Sequence, residues 1–164
     1  MKNIILCGFM GSGKTVVGRE LAKIMGFRFV DTDEMIEKET GIAVKAIFAA
    51  HGEEYFRALE ADVCARLGET QNSVIATGGG ALTFPDNVTA IKKSGGKVVF
   101  LDASYGVICE RVGDGASRPL FKDRESARKL YDARRAAYLA AADYTVDGDM
   151  SARKTALTIA AIFK

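Results

Sequence analysis

The chain has 164 residues with 23 basic and 21 acidic side chains, a formal charge of +2, 48% hydrophobic residues and no Trp. That length suits one domain with a real core, and near-neutral charge without a dense basic run or a Trp platform argues against nucleic acid as a partner. Cys7, Cys64 and Cys109 lie far apart with no C-x-x-C pair and His51 is the one histidine, so a structural zinc site is excluded and a reducing cytoplasm is expected.

The N-terminal apolar run is broken at once by Gly8, which reads as neither a signal peptide nor a membrane span. Asn3 to Cys7 is the first of five short runs rich in strand-forming residues. The others are Phe27 to Val30, Ser73 to Ala76, Lys97 to Leu101 and Tyr144 to Val146, each separated from the next by longer stretches of helical period. That rhythm predicts a three-layer α/β domain around a mostly parallel, five-stranded sheet, with no repeat or linker.

Residues 8 to 15, Gly-Phe-Met-Gly-Ser-Gly-Lys-Thr, fit the phosphate-cradling pattern G-x-x-x-x-G-K-[ST]. Glycines let consecutive backbone N–H groups curl around anionic oxygens, a lysine reaches the β and γ phosphates, and a hydroxyl suits magnesium. A nucleoside triphosphate site is therefore implied. Val16, Val17, Leu21, Ile24 and Met25 follow at the spacing of one helical face, and the helix N-terminus adds partial positive charge to the site.

The second strand leads into Asp31-Thr32-Asp33. If the extended geometry continues, both carboxylates point the same way, toward the crevice beyond the strand ends. One can hold magnesium and the other can orient an attacking hydroxyl; the plainer reading is that one only caps a helix starting near Met35. Next, Phe56, Leu59, Val63 and Leu67 form a core stripe beside Arg57 and Glu60 at i, i+3. On pattern alone that pair reads as a solvated surface ion pair, with a substrate clamp as the alternative. His51, beside Gly52, reads as a surface residue.

Gly78-Gly79-Gly80 after the third strand allows backbone to approach a bound molecule closely, or simply makes a tight turn. Asp102 ends the fourth apolar strand where many phosphate-loop enzymes keep a magnesium acid, but the Asp31-Asp33 pair is better placed and Asp102 reads as a decoy. Val112 to Arg124, with two glycines, a proline and three basic residues, reads as a charged, mobile lid. On the last long helix Ala127, Leu130, Tyr131, Ala137, Tyr138 and Ala141 define an inward face on which position 134 also falls. It is arginine, and a guanidinium there needs an anion, either an internal carboxylate or a ligand; Arg135 can point to water.

In order along the chain these motifs resemble the shikimate kinase family over essentially the whole length. Gly8 to Thr15 is similar to its G-x-x-G-x-G-K-[ST], Asp31-Thr32-Asp33 to its D-[ST]-D, and Phe48 through Phe56-Arg57-x-x-Glu60 to its I-F-x-x-x-G-E-x-x-F-R-x-x-E stretch. Gly78-Gly79-Gly80, Arg118-Pro119-Leu120 and Arg134 four residues before Tyr138 complete the series. The resemblance implies a phosphate-loop fold of the nucleoside-monophosphate-kinase kind, a substrate-binding segment around 32–60, and a lid around 112–124. It implies ATP-dependent phosphorylation of the 3-hydroxyl of shikimate.

On the same grounds Asp33, Arg57, Gly79, Gly80 and Arg134 would bind shikimate, the two arginines gripping its carboxylate, with Phe48 and Phe56 beside its ring. Gly11, Ser12, Gly13, Lys14, Thr15, Val16, Arg111 and Arg118 would hold ATP, with Arg111 against the adenine. Lys14 and Arg118 would stabilise the transferring phosphoryl group, Asp33 would orient or deprotonate the hydroxyl, and Thr15 and Asp31 would hold magnesium. The chain departs from the family in reading Ala136-Ala137-Tyr138 where Pro-Leu-Tyr is common, and in lacking a proline near 147–153. A monomer in the cytoplasm is expected, with neither nucleic acid nor membrane as partner. The rival readings are a gluconate-type kinase of the same fold and a non-catalytic nucleotide-binding homologue, the latter disfavoured by the presence of Lys14, Asp33 and Arg118.

Overall fold

The structure, a computed structural model, describes residues 2–112 and 124–164. Five parallel strands, β1 (Ile4–Cys7), β2 (Arg28–Asp31), β3 (Ser73–Ala76), β4 (Lys97–Asp102) and β5 (Tyr144–Asp147), form one sheet in the order β2-β3-β1-β4-β5. Parallel pairing requires crossovers, and helices supply them: α1 (Lys14–Met25), α2 (Thr32–Thr40), α3 (Val44–Leu67), α4 (Pro85–Ile91), α5 (Tyr105–Val112), α6 (Arg124–Ala141) and α7 (Ala152–Phe163). Each strand lies within a residue of the run the sequence predicts. Among the described residues no helix is long and apolar enough to cross a membrane.

Strand alternation divides the core into two layers. Ile5, Cys7, Ile75, Val98 and Phe100 face one way, under α3, α4, α5 and α6; Ile4, Leu6, Val74, Val99 and Leu101 face the other, under α1 and α7. β1 is buried on both faces, which is why it reads as an uninterrupted apolar run. The order of strands reverses beside it, so the crevice opens beyond its carboxyl end, where the phosphate loop begins.

Two local features differ from the sequence reading. Val16, predicted on the apolar face of α1, is 58% exposed, while Val17, Gly18, Leu21 and Ala22 make that face. Standing in the first turn, Val16 looks into the nucleotide-side cavities rather than at the sheet. Gly52 breaks α3 at φ 84°, ψ 174°, so the helix is two segments joined at a kink that a residue with a Cβ would adopt only with strain.

Candidate active site

The loop from Gly8 to Thr15 turns with left-handed backbone at Gly11 (φ 82°) and Gly13 (φ 95°), and Gly13 is the N-cap of α1. Lys14 Nζ donates to the carbonyls of Gly8 and Phe9, holding the amine over the loop. Burial pushes its pKa down to about 8, against the attraction of Asp33 and Asp31. Thr15 Oγ1 donates to Asp31 Oδ2 at 3.1 Å, which sets two hard oxygens side by side at the phosphate end of the cleft. That donor set suits Mg2+, an ion held by one or two protein oxygens with phosphates and water completing its shell.

A cavity of about 500 Å3 runs from this loop past Asp31, Asp33 and Glu37 to Thr77, Gly78 and Gly79. A second of about 340 Å3 continues past Gly13 and Val16 toward Met150, Ser151 and Ala152. Arg111 stands where the two meet. Its guanidinium donates to the carbonyls of Gly11 and Ser12 at 3.2 Å each and to that of Gly148 at 2.8 Å, bracing the phosphate loop against the loop after β5.

The extended geometry of β2 ends at Asp31, not beyond Asp33. α2 starts at Thr32, earlier than the expected Met35, and Asp31 Oδ1 accepts from Glu34 N at 3.1 Å as its N-cap. Capping and site roles thus coexist: one carboxylate oxygen holds the helix and the other faces Thr15. Asp33 reaches the same cleft from the first turn of α2, one turn before Glu37. Its Oδ1 is buried without a hydrogen-bond partner. Burial first, then the Asp31 charge, raises the Asp33 pKa above its ordinary value.

The Arg57–Glu60 pair is not a solvated surface pair. Glu60 is fully buried, Arg57 Nη1 donates to its Oε1 at 2.8 Å, and the guanidinium lies 5.4 and 5.3 Å from the rings of Phe56 and Phe84. The signal that would have shown this is Glu60 itself, one turn from Phe56 and Cys64 and so on the buried stripe. Arg134 projects from α6 over the face of Phe9, and among the described residues it has no carboxylate within ion-pair distance. Arg135 is partly open to water, its side chain 41% exposed, but it is not left to solvent alone. It forks onto Asp102, Nε to Oδ1 at 3.0 Å and Nη2 to Oδ2 at 2.7 Å, so Asp102 is spent on an arginine and does not line the phosphate cleft.

The three glycines after β3 gather these groups. A Cβ at Gly78 would lie 2.6 Å from Asp33 Oδ1, at Gly79 3.0 Å from Arg134 Nη1, and at Gly80 2.6 Å from Arg57 Nη2. Each bare backbone position thus makes room for one of the three polar side chains that converge there. Two further contacts, not foreseen from sequence, fix the turn: Gly78 N donates to Thr32 Oγ1 at 2.9 Å, and the Tyr138 hydroxyl donates to Gly79 O. His51 is exposed and stacks on Tyr55, away from this cluster. Arg118 and the rest of 113–123, expected as the lid, lie outside the described residues.

A family model for shikimate kinase matches residues 10–163. A shikimate kinase of Moorella thermoacetica is 47% identical over 150 residues, 90% of this chain and 85% of that one. Among solved structures, shikimate kinase from Acinetobacter baumannii in complex with shikimate superposes with a TM-score of 0.90 at 36% identity, covering 99% of this chain and 93% of that one. The shikimate kinase of Aquifex aeolicus gives 0.85 at 37% identity, covering 96% and 93%. By sequence and by superposed fold alike, the chain belongs to the shikimate kinase family.

Proposed function

We propose that the cleft transfers the γ-phosphoryl group of ATP to the 3-hydroxyl of shikimate, giving shikimate 3-phosphate and ADP. The observation that carries the reading is the convergence of Asp33, Arg57 and Arg134 on Gly78-Gly79-Gly80, at the end of the cavity that Asp33, Gly78 and Gly79 share with the phosphate loop. Two guanidiniums approached by bare backbone make a fork-shaped seat for a planar carboxylate, and among the described residues Arg134 has no carboxylate within ion-pair distance. Gly79 and Gly80 leave space for the acceptor, and Phe56 with Phe48 packed on it at 4.7 Å supplies an apolar wall.

With the acceptor carboxylate held by Arg57 and Arg134, Asp33 faces the hydroxyl that reacts. The hydroxyl oxygen attacks the γ phosphorus, its proton passes to the Asp33 carboxylate, and the bond to the β,γ-bridging oxygen breaks with its electron pair left on ADP. Burial raises the basicity of Asp33 for that task. Lys14, and Arg118 by resemblance, stabilise charge on the transferring group, which is most of what phosphoryl transfer asks of a protein. Gly11, Gly13 and Thr15 would offer the phosphates their backbone N–H groups, while the Ser12 N–H donates to Phe9 O at 3.0 Å and shapes the loop around them. Val16 and Arg111 border the base-side cavity, where Arg111 works as a brace between two loops. Thr15 and Asp31 would hold Mg2+, which when bound offsets negative charge on the β and γ phosphates.

We take the chain as a single domain acting as a monomer in the cytoplasm, with residues 32–60 as the acceptor segment and 112–124 as the lid. Three free cysteines support a reducing compartment. The experiment is a coupled ADP-release assay with Mg2+ and ATP, comparing shikimate, gluconate and no acceptor. Turnover with shikimate alone is expected; equal ADP release in all three would reduce the chain to an ATPase and remove Arg57 and Arg134 from acceptor binding.

A further inference from the structure

α6 carries two tyrosines, Tyr131 and Tyr138, whose hydroxyls donate to backbone carbonyls at the sheet's crevice, Ala103 O at 2.8 Å and Gly79 O. Seven residues apart, they lie nearly in line on the helix, since successive residues turn by roughly 100°. Arg134 and Arg135 fall on opposite sides of that line, each offset by roughly 40° to 60°. The tyrosine bonds therefore act as a hinge along the inward edge of α6, and a roll about it is resisted by the core packing of Ala127, Tyr131 and Tyr138, by Arg128 stacked 5.0 Å from the centre of the Tyr105 ring, and by side anchors near the crevice. Arg134 supplies none, having no carboxylate partner among the described residues. Arg135 supplies one through both nitrogens of its fork, on the carboxylate of Asp102 at the end of β4.

We propose that Asp102 and Arg135 are positioning residues for the acceptor site: their ion pair sets the roll of α6 and thereby aims Arg134 at the acceptor carboxylate. The proposal rests on the reading of Arg134 as a carboxylate clamp. A lever makes the pair matter. The tip of an extended arginine stands roughly 9 Å from its helix axis, so a roll of about 10° displaces it by about 1.5 Å. A displacement of about 1 Å at a substrate-positioning group can cost on the order of a hundredfold in rate. The two partners are 41% and 24% exposed, so solvent screening leaves the pair little net effect on stability, which separates an aiming role from a structural one.

The test uses Asp102→Asn, which keeps shape and loses charge, and Arg135→Gln as an independent break of the same fork. In each, KM for shikimate should rise by about three- to tenfold while KM for ATP stays within about twofold and Tm barely moves. The double variant should be no worse than either single one, because both remove one interaction. With the uncharged carboxamide of shikimate as acceptor, the difference between wild type and variants should vanish. Unchanged KM for shikimate in both variants, or an equal penalty with the carboxamide, overturns the aiming role. A wild-type enzyme without shikimate-dependent ADP release would instead overturn the clamp reading, and this proposal with it.

Discussion

Asp33 and Lys14 face each other across the phosphate loop with pKa values displaced for one shared reason, loss of water. For the carboxyl the shift is upward, so the neutral acid persists to higher pH than for an ordinary aspartate and the base is lost on the acid side. Asp33→Asn should leave ATP affinity within about twofold and lower turnover by at least about a hundredfold; unchanged turnover would show that Asp33 is no base. For the amine the shift is downward, so the nucleotide-free enzyme loses its cation as pH rises through about 8. The profile of kcat/KM for ATP should therefore fall above about pH 8. Bound phosphates favour the ammonium, so the alkaline limb of kcat at saturating ATP should lie higher. The same sign governs stability. An amine that folding deprotonates more easily is a burden while charged, so the nucleotide-free fold should gain stability as pH rises from about 8 toward the ordinary lysine value of about 10.4. Thermal unfolding across that range checks it.

At the scale of elements, two glycines separate function from stability. A methyl at Gly79 would meet the far end of Arg134, a side chain with no carboxylate partner among the described residues, so Gly79→Ala should raise KM for shikimate by about threefold or more with little change in Tm. A methyl at Gly68 would lie 1.9 Å from the backbone carbonyl of Ala90, which cannot move without shifting α4. Gly68→Ala should therefore cost about 3 kcal/mol of stability or more and leave KM near normal, as denaturant unfolding and steady-state kinetics would show together. The elements themselves were legible because burial writes itself into residue type: β1, β3 and β4 are apolar runs and the helices carry periodic faces. Local departures were not. Asp31 could be read as capping residue or as site residue but not as both, since one oxygen serves each purpose. Glu60 looked solvated because charged residues seldom sit wholly inside, and only the packing of α3 against the rest of the core reveals that Arg57 accompanies it there. The Arg135–Asp102 fork joins residues 33 apart and has no periodicity to announce it.

Across the whole molecule the site is assembled from strand ends brought together by topology. Lys14 and Thr15 follow β1, Asp31 and Asp33 stand at the end of β2, the glycines follow β3, and Arg134 arrives on the helix before β5. The phosphate loop and the Asp31-Thr32-Asp33 acids were readable because each is contiguous, whereas Arg57, the glycines and Arg134 are spread between positions 57 and 134, a separation only the fold can close, and resemblance to a family was what linked them in sequence. The central place of β1 has a consequence for how the protein is made. Ile4 pairs with Val74 on one side and Lys97 on the other. The phosphate loop leaves the ribosome before β3 and β4 and has no walls to lean on until both have been synthesised, and such distant pairings are slow to close. Nascent chains ending before Lys97 should therefore fail to bind ATP although they contain every residue from Gly8 to Thr15, and a fluorescent nucleotide added to stalled chains of increasing length should find its site only after β4 has emerged.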